Sequence, residues 1–158
     1  MTGFPGLARA KQKLVASGLL GAASDMAWAA TAAEVIDWEG LFASTGLFGI
    51  DIGAAGALAG QVVELPGFMS PPMDQAADYF VLTRSPLPDC PFCAPTASWP
   101  DDIVVVRVPG PGVDIDDPMR PVVVRGILDL GEVAGPLPGM TSHARLIGAL
   151  WRPTNHTG

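Results

Sequence analysis

Basic residues are few in this chain of 158 residues. The sequence has 9 Lys+Arg against 16 Asp+Glu, which gives a formal net charge of −7. Proteins that bind nucleic acid neutralise phosphate groups with clustered lysine and arginine. The basic residues of this chain are too scarce and too scattered for that, so we expect no nucleic-acid partner.

Cysteine and histidine are also scarce, with two residues of each type in the whole chain. No Ser-His-Asp order, no glycine-rich loop of the kind that holds phosphate and no paired catalytic carboxylates stand out. We therefore expect a protein that is not an enzyme and that has no required cofactor.

Glycine, proline and apolar residues are abundant, with 19 Gly, 16 Pro and 49% hydrophobic residues. The length suits one domain with a proper core and is too short for two. Five short runs rich in β-branched and aromatic residues are bounded by Gly, Pro, Asp or Ser: 61–65, 78–84, 102–108, 120–130 and 144–151. The pattern predicts an all-β fold, and the most economical closure is a five-stranded OB-like Greek-key barrel with long proline-rich loops.

Alternation within the fourth run predicts which side chains share a face. Val122, Val124, Gly126 and Leu128 have one parity, and the residues between them include Arg125 and Asp129, which predicts one wetter face. We expect Pro66 and Pro121 to lie at strand ends, where a missing amide hydrogen costs little. Before the barrel, residues 37–42 fit one helical turn, and the Gly-rich stretch that follows, to Gly60, is expected to be an extended lead-in.

The first residues have the three parts of a secretory signal peptide. Arg9, Lys11 and Lys13 precede an apolar run over 14–23, and Ala27-Trp28-Ala29 fits the small-x-small cleavage pattern. The apolar run is too short to span a bilayer. The alternative interpretation of this segment is an N-terminal helix that stays on the protein. We expect a leader or helix over 1–29, a lead-in over 30–57, the barrel over 58–152 and a tail over 153–158, with no membrane span after processing.

Both cysteines lie in one short motif, Cys90-Pro-Phe-Cys93, between the second and third predicted strands. A disulfide or a pair of packed thiols is one reading, and an exported protein would meet an oxidising compartment. A zinc or copper site is a second reading, with His143 as a candidate third ligand. A redox dithiol is a third, although Pro95 and Pro100 interrupt any helix after the motif.

Several segments carry a pattern beyond composition: Leu58–Pro72, Tyr79–Leu82, the Cys90–Cys93 loop, Ile103–Val106 and the strand Val122–Leu128, with Asp37-Trp38 as an upstream Asp-Trp motif. In these segments the chain resembles an uncharacterised family of small exported bacterial proteins. The resemblance covers about residues 36 to 150. It implies an OB-like barrel and an accessory role at the cell envelope, because some members are encoded beside ABC-type exporters or metal-uptake components. Many members have a histidine two positions after their loop cysteine, where this chain has Phe92.

Two functional hypotheses follow. The first is an exported, periplasmic accessory or binding module of an envelope or membrane complex, with Phe92, Trp99 and Met69 as candidate partner-binding residues. The second is a periplasmic metal-binding or metal-handling protein that uses Cys90 and Cys93.

Overall fold

The computed structural model describes residues 25–44, 50–51, 53–70, 78–86, 100, 102–109, 121–136 and 140–154. Three short helical segments are described: α1 (Asp25–Ala30), α2 (Trp38–Leu41) and a 3₁₀ helix (Gly53–Leu58). The strands, in chain order, are β1 (Glu34–Val35), β2 (Ala43–Ser44), β3 (Ile50–Asp51), β4 (Val62–Ser70), β5 (Tyr79–Thr83), β6 (Val104–Arg107), β7 (Pro121–Ala134) and β8 (Thr141–Pro153). The chain is therefore mostly β-sheet with few helices, as the sequence predicts.

Six strands form the main sheet, in the order β1-β4-β5-β6-β8-β7, and β4 pairs in addition with β7. The pairings β1–β4 and β6–β8 are parallel, and the others are antiparallel. Because of the β4–β7 pairing, the strands β4, β5, β6, β8 and β7 follow one another in a closed circuit, and each of the five pairs with two neighbours in it. Strands β2 and β3 form a separate two-stranded sheet. All five runs expected to be strands are strands. The two-residue strand β1, a sixth member of the sheet, was not expected.

The main core lies on the face that the alternation of β7 predicts. Val122, Val124 and Leu128 are buried there, and the opposite parity has the exposed Asp129. The other strands contribute side chains to the same core, among them Val63, Leu65, Met69, Phe80, Leu82, Val104, Val106, Leu146 and Trp151. These side chains form the largest of the apolar clusters among the described residues.

Two glycines allow the sheet to bend where the strands approach closely. In the β7–β8 register, Arg125 faces Leu150 and Ile127 faces Ile147, so β8 has one extra residue between these pairs. Gly148 lies in that bulge with a φ of 60°, a conformation that favours glycine. At Gly67 a Cβ atom would lie 2.8 Å from the Thr83 carbonyl oxygen, so only glycine fits between β4 and β5.

Two expectations about the first part of the chain were wrong. The lead-in is not extended throughout, because residues 53–58 form a 3₁₀ helix. Pro66 lies inside β4, not at a strand end, and its carbonyl oxygen accepts a hydrogen bond from the Trp38 indole N–H at 2.7 Å. The amide and carbonyl of one strand residue face the same edge, so the missing N–H of Pro66 points toward Trp38 and costs β4 no bond to β7.

The expected helical turn is confirmed as α2. Asp37 has an extended backbone, and its side chain accepts a hydrogen bond from the Gly40 N–H at 2.6 Å. This is an N-cap, which satisfies one of the amide groups left free at the start of a helix. Within the described part of the chain, no helix has the length and apolarity needed to cross a membrane.

Candidate functional site

Most of the residues singled out from the sequence lie outside the described residues: Cys90, Phe92, Cys93 and Trp99. His143 is half-buried on β8. Met69 is buried in the main core, so its side chain packs inside the fold and is not offered to a partner. Of the candidates for partner binding, only Phe92 and Trp99 keep that role as a prediction, on the loop that the sequence predicts over 85–101.

The metal hypothesis remains a prediction because its two cysteines are outside the described residues. Within the described ranges, no group of three or more His, Cys, Asp and Glu side chains is arranged to hold a metal ion. If Cys90 and Cys93 bind zinc or copper, protein purified anaerobically in the reduced state will contain about one equivalent of metal, and Cys93→Ser will lose it. Less than about a tenth of an equivalent in the unaltered protein would contradict the hypothesis.

An apolar pocket lies beside the edge of the main sheet. Its volume is about 230 Å³, and it lies between β1, α2 and the 3₁₀ helix. Its lining is mostly aliphatic, with one carboxylate: Val35, Ile36, Asp37, Gly40, Leu41, Ala55 and Leu58. We call this the β1 pocket. Val35 lines this pocket and has 70% of its surface exposed, so its side chain is accessible beside the concave site.

Local interactions fix the α2 wall of the β1 pocket. The Asp37 cap sets the start of α2, and Leu41 on the same turn is fully buried. Trp38 is held by the bond from its indole N–H to Pro66 and by stacking on Phe42, with ring centroids 6.0 Å apart. The wall is therefore attached to β4 through both a hydrogen bond and apolar packing.

The other wall is an edge strand. Val35 is opposite Glu64 in a parallel register, and the Ile36 N–H donates to the Glu64 carbonyl oxygen at 2.9 Å. Neighbouring residues of a strand direct their backbone groups to opposite edges, so the N–H and C=O of Val35 face away from β4. No described strand pairs with β1 on that side. An exposed strand edge with a pocket beside it is an arrangement that accepts an extended peptide.

Three acidic residues lie on the short segment that contributes β1 and α2 to the β1 pocket. Glu34, Asp37 and Glu39 are all exposed, and of the three only Asp37 lines the pocket. Arg84 approaches Glu39 at 3.8 Å, and both side chains are exposed, so this pair neutralises Glu39 only weakly. The segment therefore adds exposed negative charge close in sequence to an apolar pocket.

A second cluster lies on the outer face of β4, β7 and β8, around Trp28 of α1. Trp28 is 4% exposed and packs against Ile127 and Leu150. The guanidinium carbons of Arg125 and Arg152 lie 4.2 and 4.4 Å from the centroid of its ring, in cation–π geometry. We call this arrangement the Trp28 clamp.

Arg125 connects the clamp to the sheet. Its Nε donates to Glu64 Oε2 at 2.6 Å, and its Nη1 donates to the backbone carbonyls of Trp28 and Thr31. The Arg125 and Glu64 side chains are 19% and 18% exposed, so this ion pair is largely removed from solvent. The Trp28 indole N–H, in contrast, is buried without a hydrogen-bond acceptor among the described residues.

Sequence reasoning missed both clusters. It took Trp28 only as part of a cleavage pattern and Arg125 only as a residue of the wetter face of β7. The apolar pair Val35-Ile36 directly before an Asp N-cap was the available signal for the β1 pocket, since an apolar residue before a cap commonly packs on the helix that follows.

Comparison with known proteins shows similarity in fold. A crystal structure of a DUF3299 family protein from Pseudomonas aeruginosa PAO1 matches with a TM-score of 0.58 and 18% sequence identity, over 80% of this chain and 99% of that one. No protein-family model matches the chain, and no curated protein matches it. The fold is therefore similar to that of a protein named only by a family of unknown function.

Proposed function

We propose that this chain is an exported, non-enzymatic binding module that works as an accessory subunit of a protein complex in the cell envelope. The observation that carries the proposal is the β1 pocket, which places an apolar concavity and the exposed side chain of Val35 beside a strand edge that no described strand pairs with. The basic start and apolar run of the first residues support export.

An OB-like barrel is the scaffold that we propose for this module. The circuit β4-β5-β6-β8-β7 supports it, because renumbering these strands from one to five gives the order 1-2-3-5-4 with closure back to strand 1. The first, second and third strands form a meander, and the third is parallel to the fifth. This connectivity supports the proposal of a five-stranded Greek-key barrel.

The partner expected at the β1 pocket is an extended protein segment. Its backbone would pair with the free edge at Val35, and one apolar side chain would fill the pocket, which is the usual division of roles when a strand is added to a sheet edge. The exposed carboxylates of Glu34, Asp37 and Glu39, on the segment that carries the pocket, favour a partner with lysine or arginine near that apolar residue. Phe92 and Trp99 of the 85–101 loop are additional contacts in this proposal.

Val35→Asp tests the proposal directly. The substitution places a carboxylate at the rim of the apolar pocket, so recovery of the partner from native envelope membranes is expected to fall by on the order of tenfold. The measurement is quantitative pull-down with the tagged full-length protein. Because Val35 is exposed, the melting temperature is expected to change little.

Val133→Asp is the matched control. Val133 is also an exposed valine on a strand, at 48%, but it does not line the pocket. The control is expected to recover the partner as the unaltered protein does. Equal recovery with both variants, or no partner recovered with the unaltered protein, would contradict the proposal.

A further inference from the structure

The outer face beneath Trp28 is apolar and is covered by the chain itself. Ile127 and Leu150 are buried there, and Val62, Val123 and Ile147 surround them. Trp28 is the large side chain that covers this group, and it comes from α1, more than 90 residues from β7 along the chain. Without Trp28, apolar side chains of three neighbouring strands would face solvent between two arginines.

Export would remove the cover. Cleavage after Ala29, where the small-x-small pattern lies, separates Trp28 from the domain and leaves Thr31 on it. We propose that in the exported chain this outer face binds an aromatic side chain of a partner protein, in the place that Trp28 occupies in the full chain. The proposal rests on the proposed export.

The contacts of Trp28 show what such a ligand needs. Arg125 and Arg152 provide two cations for the face of an aromatic ring. Arg125 Nη1, which donates to the Trp28 carbonyl oxygen in the full chain, is then available for a carbonyl of the ligand's backbone. Arg152 is exposed and makes no ion pair with a described residue, so it tolerates a carboxylate on the partner near the ring.

Tryptophan and phenylalanine each have one advantage on this face. The Trp28 indole N–H is buried with no acceptor among the described residues, and an unmade hydrogen bond of this kind opposes binding. A phenyl ring has no such donor, but its cation–π contact with Arg125 and Arg152 is weaker than that of an indole. We therefore expect the face to bind a partner with either residue at this position.

The test uses protein exported by its native host, with intact mass measured first and folding checked by circular dichroism. The probe is the peptide Asp-Met-Ala-Trp-Ala-Ala-Thr-Ala, which has the sequence of residues 25–32. We expect calorimetry to show binding to protein that begins at Ala30, with affinity on the order of tenfold weaker for the peptide with Ala in place of Trp. Arg152→Ala should weaken binding, and full-length protein should not bind, because its own α1 occupies the face.

Failure of the docking site and failure of the proposed cleavage give different results. Protein that begins at Ala30 and binds both peptides equally, or neither, overturns the docking site and leaves export intact. A mass that retains Trp28 overturns both the cleavage position and the docking site, because the face stays covered.

If protein that begins at Ala30 does not fold alone, the full chain with Trp28→Ala is used to test the docking site. N-acetyltryptophanamide should raise its melting temperature more than that of the unaltered chain, and equal shifts overturn the proposal.

Discussion

Replacing Trp28 by alanine in the full chain is expected to lower the free energy of unfolding by about 3–5 kcal/mol, the range for truncating a buried aromatic residue. Trp28 loses its contacts with Ile127 and Leu150, and the guanidinium groups of Arg125 and Arg152 lose the ring beneath them. Chemical denaturation followed by circular dichroism measures the effect. The buried, unpaired indole N–H places the loss toward the lower end of that range.

Met26→Ala is the control for this prediction. Met26 lies on the same helix, α1, and is 84% exposed, so its truncation is expected to change the free energy of unfolding by no more than about 0.5 kcal/mol. A Trp28→Ala variant as stable as Met26→Ala would show that α1 is not packed on the sheet in solution.

Replacing Arg125 by alanine is expected to cost about 3 kcal/mol, near the lower end for breaking a buried ion pair. The substitution leaves the Glu64 carboxylate, which is mostly buried, without its cation, and leaves the carbonyls of Trp28 and Thr31 without their donor. The same denaturation experiment measures the loss.

Arg107→Ala is the matched control, because it breaks an ion pair that lies in solvent. Arg107 Nη1 is 3.0 Å from Asp78 Oδ1, and both side chains are exposed. Surface pairs of this kind contribute at most about 1 kcal/mol. If the two arginine variants lose equal stability, burial of the Arg125–Glu64 pair does not have the importance that we assign to it.

The strands and the inward face of β7 could be predicted because both depend on local pattern. Alternation with a period of two places Val122, Val124 and Leu128 on one side whatever the rest of the chain does. Helix α2 was also predictable, since Asp37 lies close enough in sequence to cap it. These features need only neighbouring residues.

The outer face was not predictable in the same way. Alternation indicated that Arg125 lies on the face opposite the core, but it does not show what covers that face. The answer is Trp28, 97 residues earlier in the chain, whose carbonyl oxygen accepts from Arg125. The position of Pro66 inside β4 likewise depends on Trp38, which is distant in sequence.

The β1 pocket could be predicted only in part, because three separate segments line it. The Asp37-Trp38 pair was recognised as a helical turn, but Ala55 and Leu58 come from a stretch that was expected to be extended. Alanine and glycine give weak local preferences there, and the 3₁₀ helix forms where Ala55 is buried in the main core. Packing of Ala55 in the core, and not local preference, therefore determines the conformation of residues 53–58.

The proposed cleavage after Ala29 would change the outer face of the sheet. The full chain contains the Trp28 clamp, and a chain cleaved after Ala29 lacks the ring while keeping Arg125, Arg152 and Thr31. The two forms should therefore differ in stability as well as in exposed apolar surface.

The central claim, that this chain binds a partner protein at the β1 pocket, is tested most directly by photo-cross-linking from position 35 in cells of the native host. A benzophenone amino acid in place of Val35 is predicted to give one adduct of discrete mass, and the same group in place of Val133 is predicted to give none. No adduct from position 35, or the same adduct from both positions, would contradict the claim.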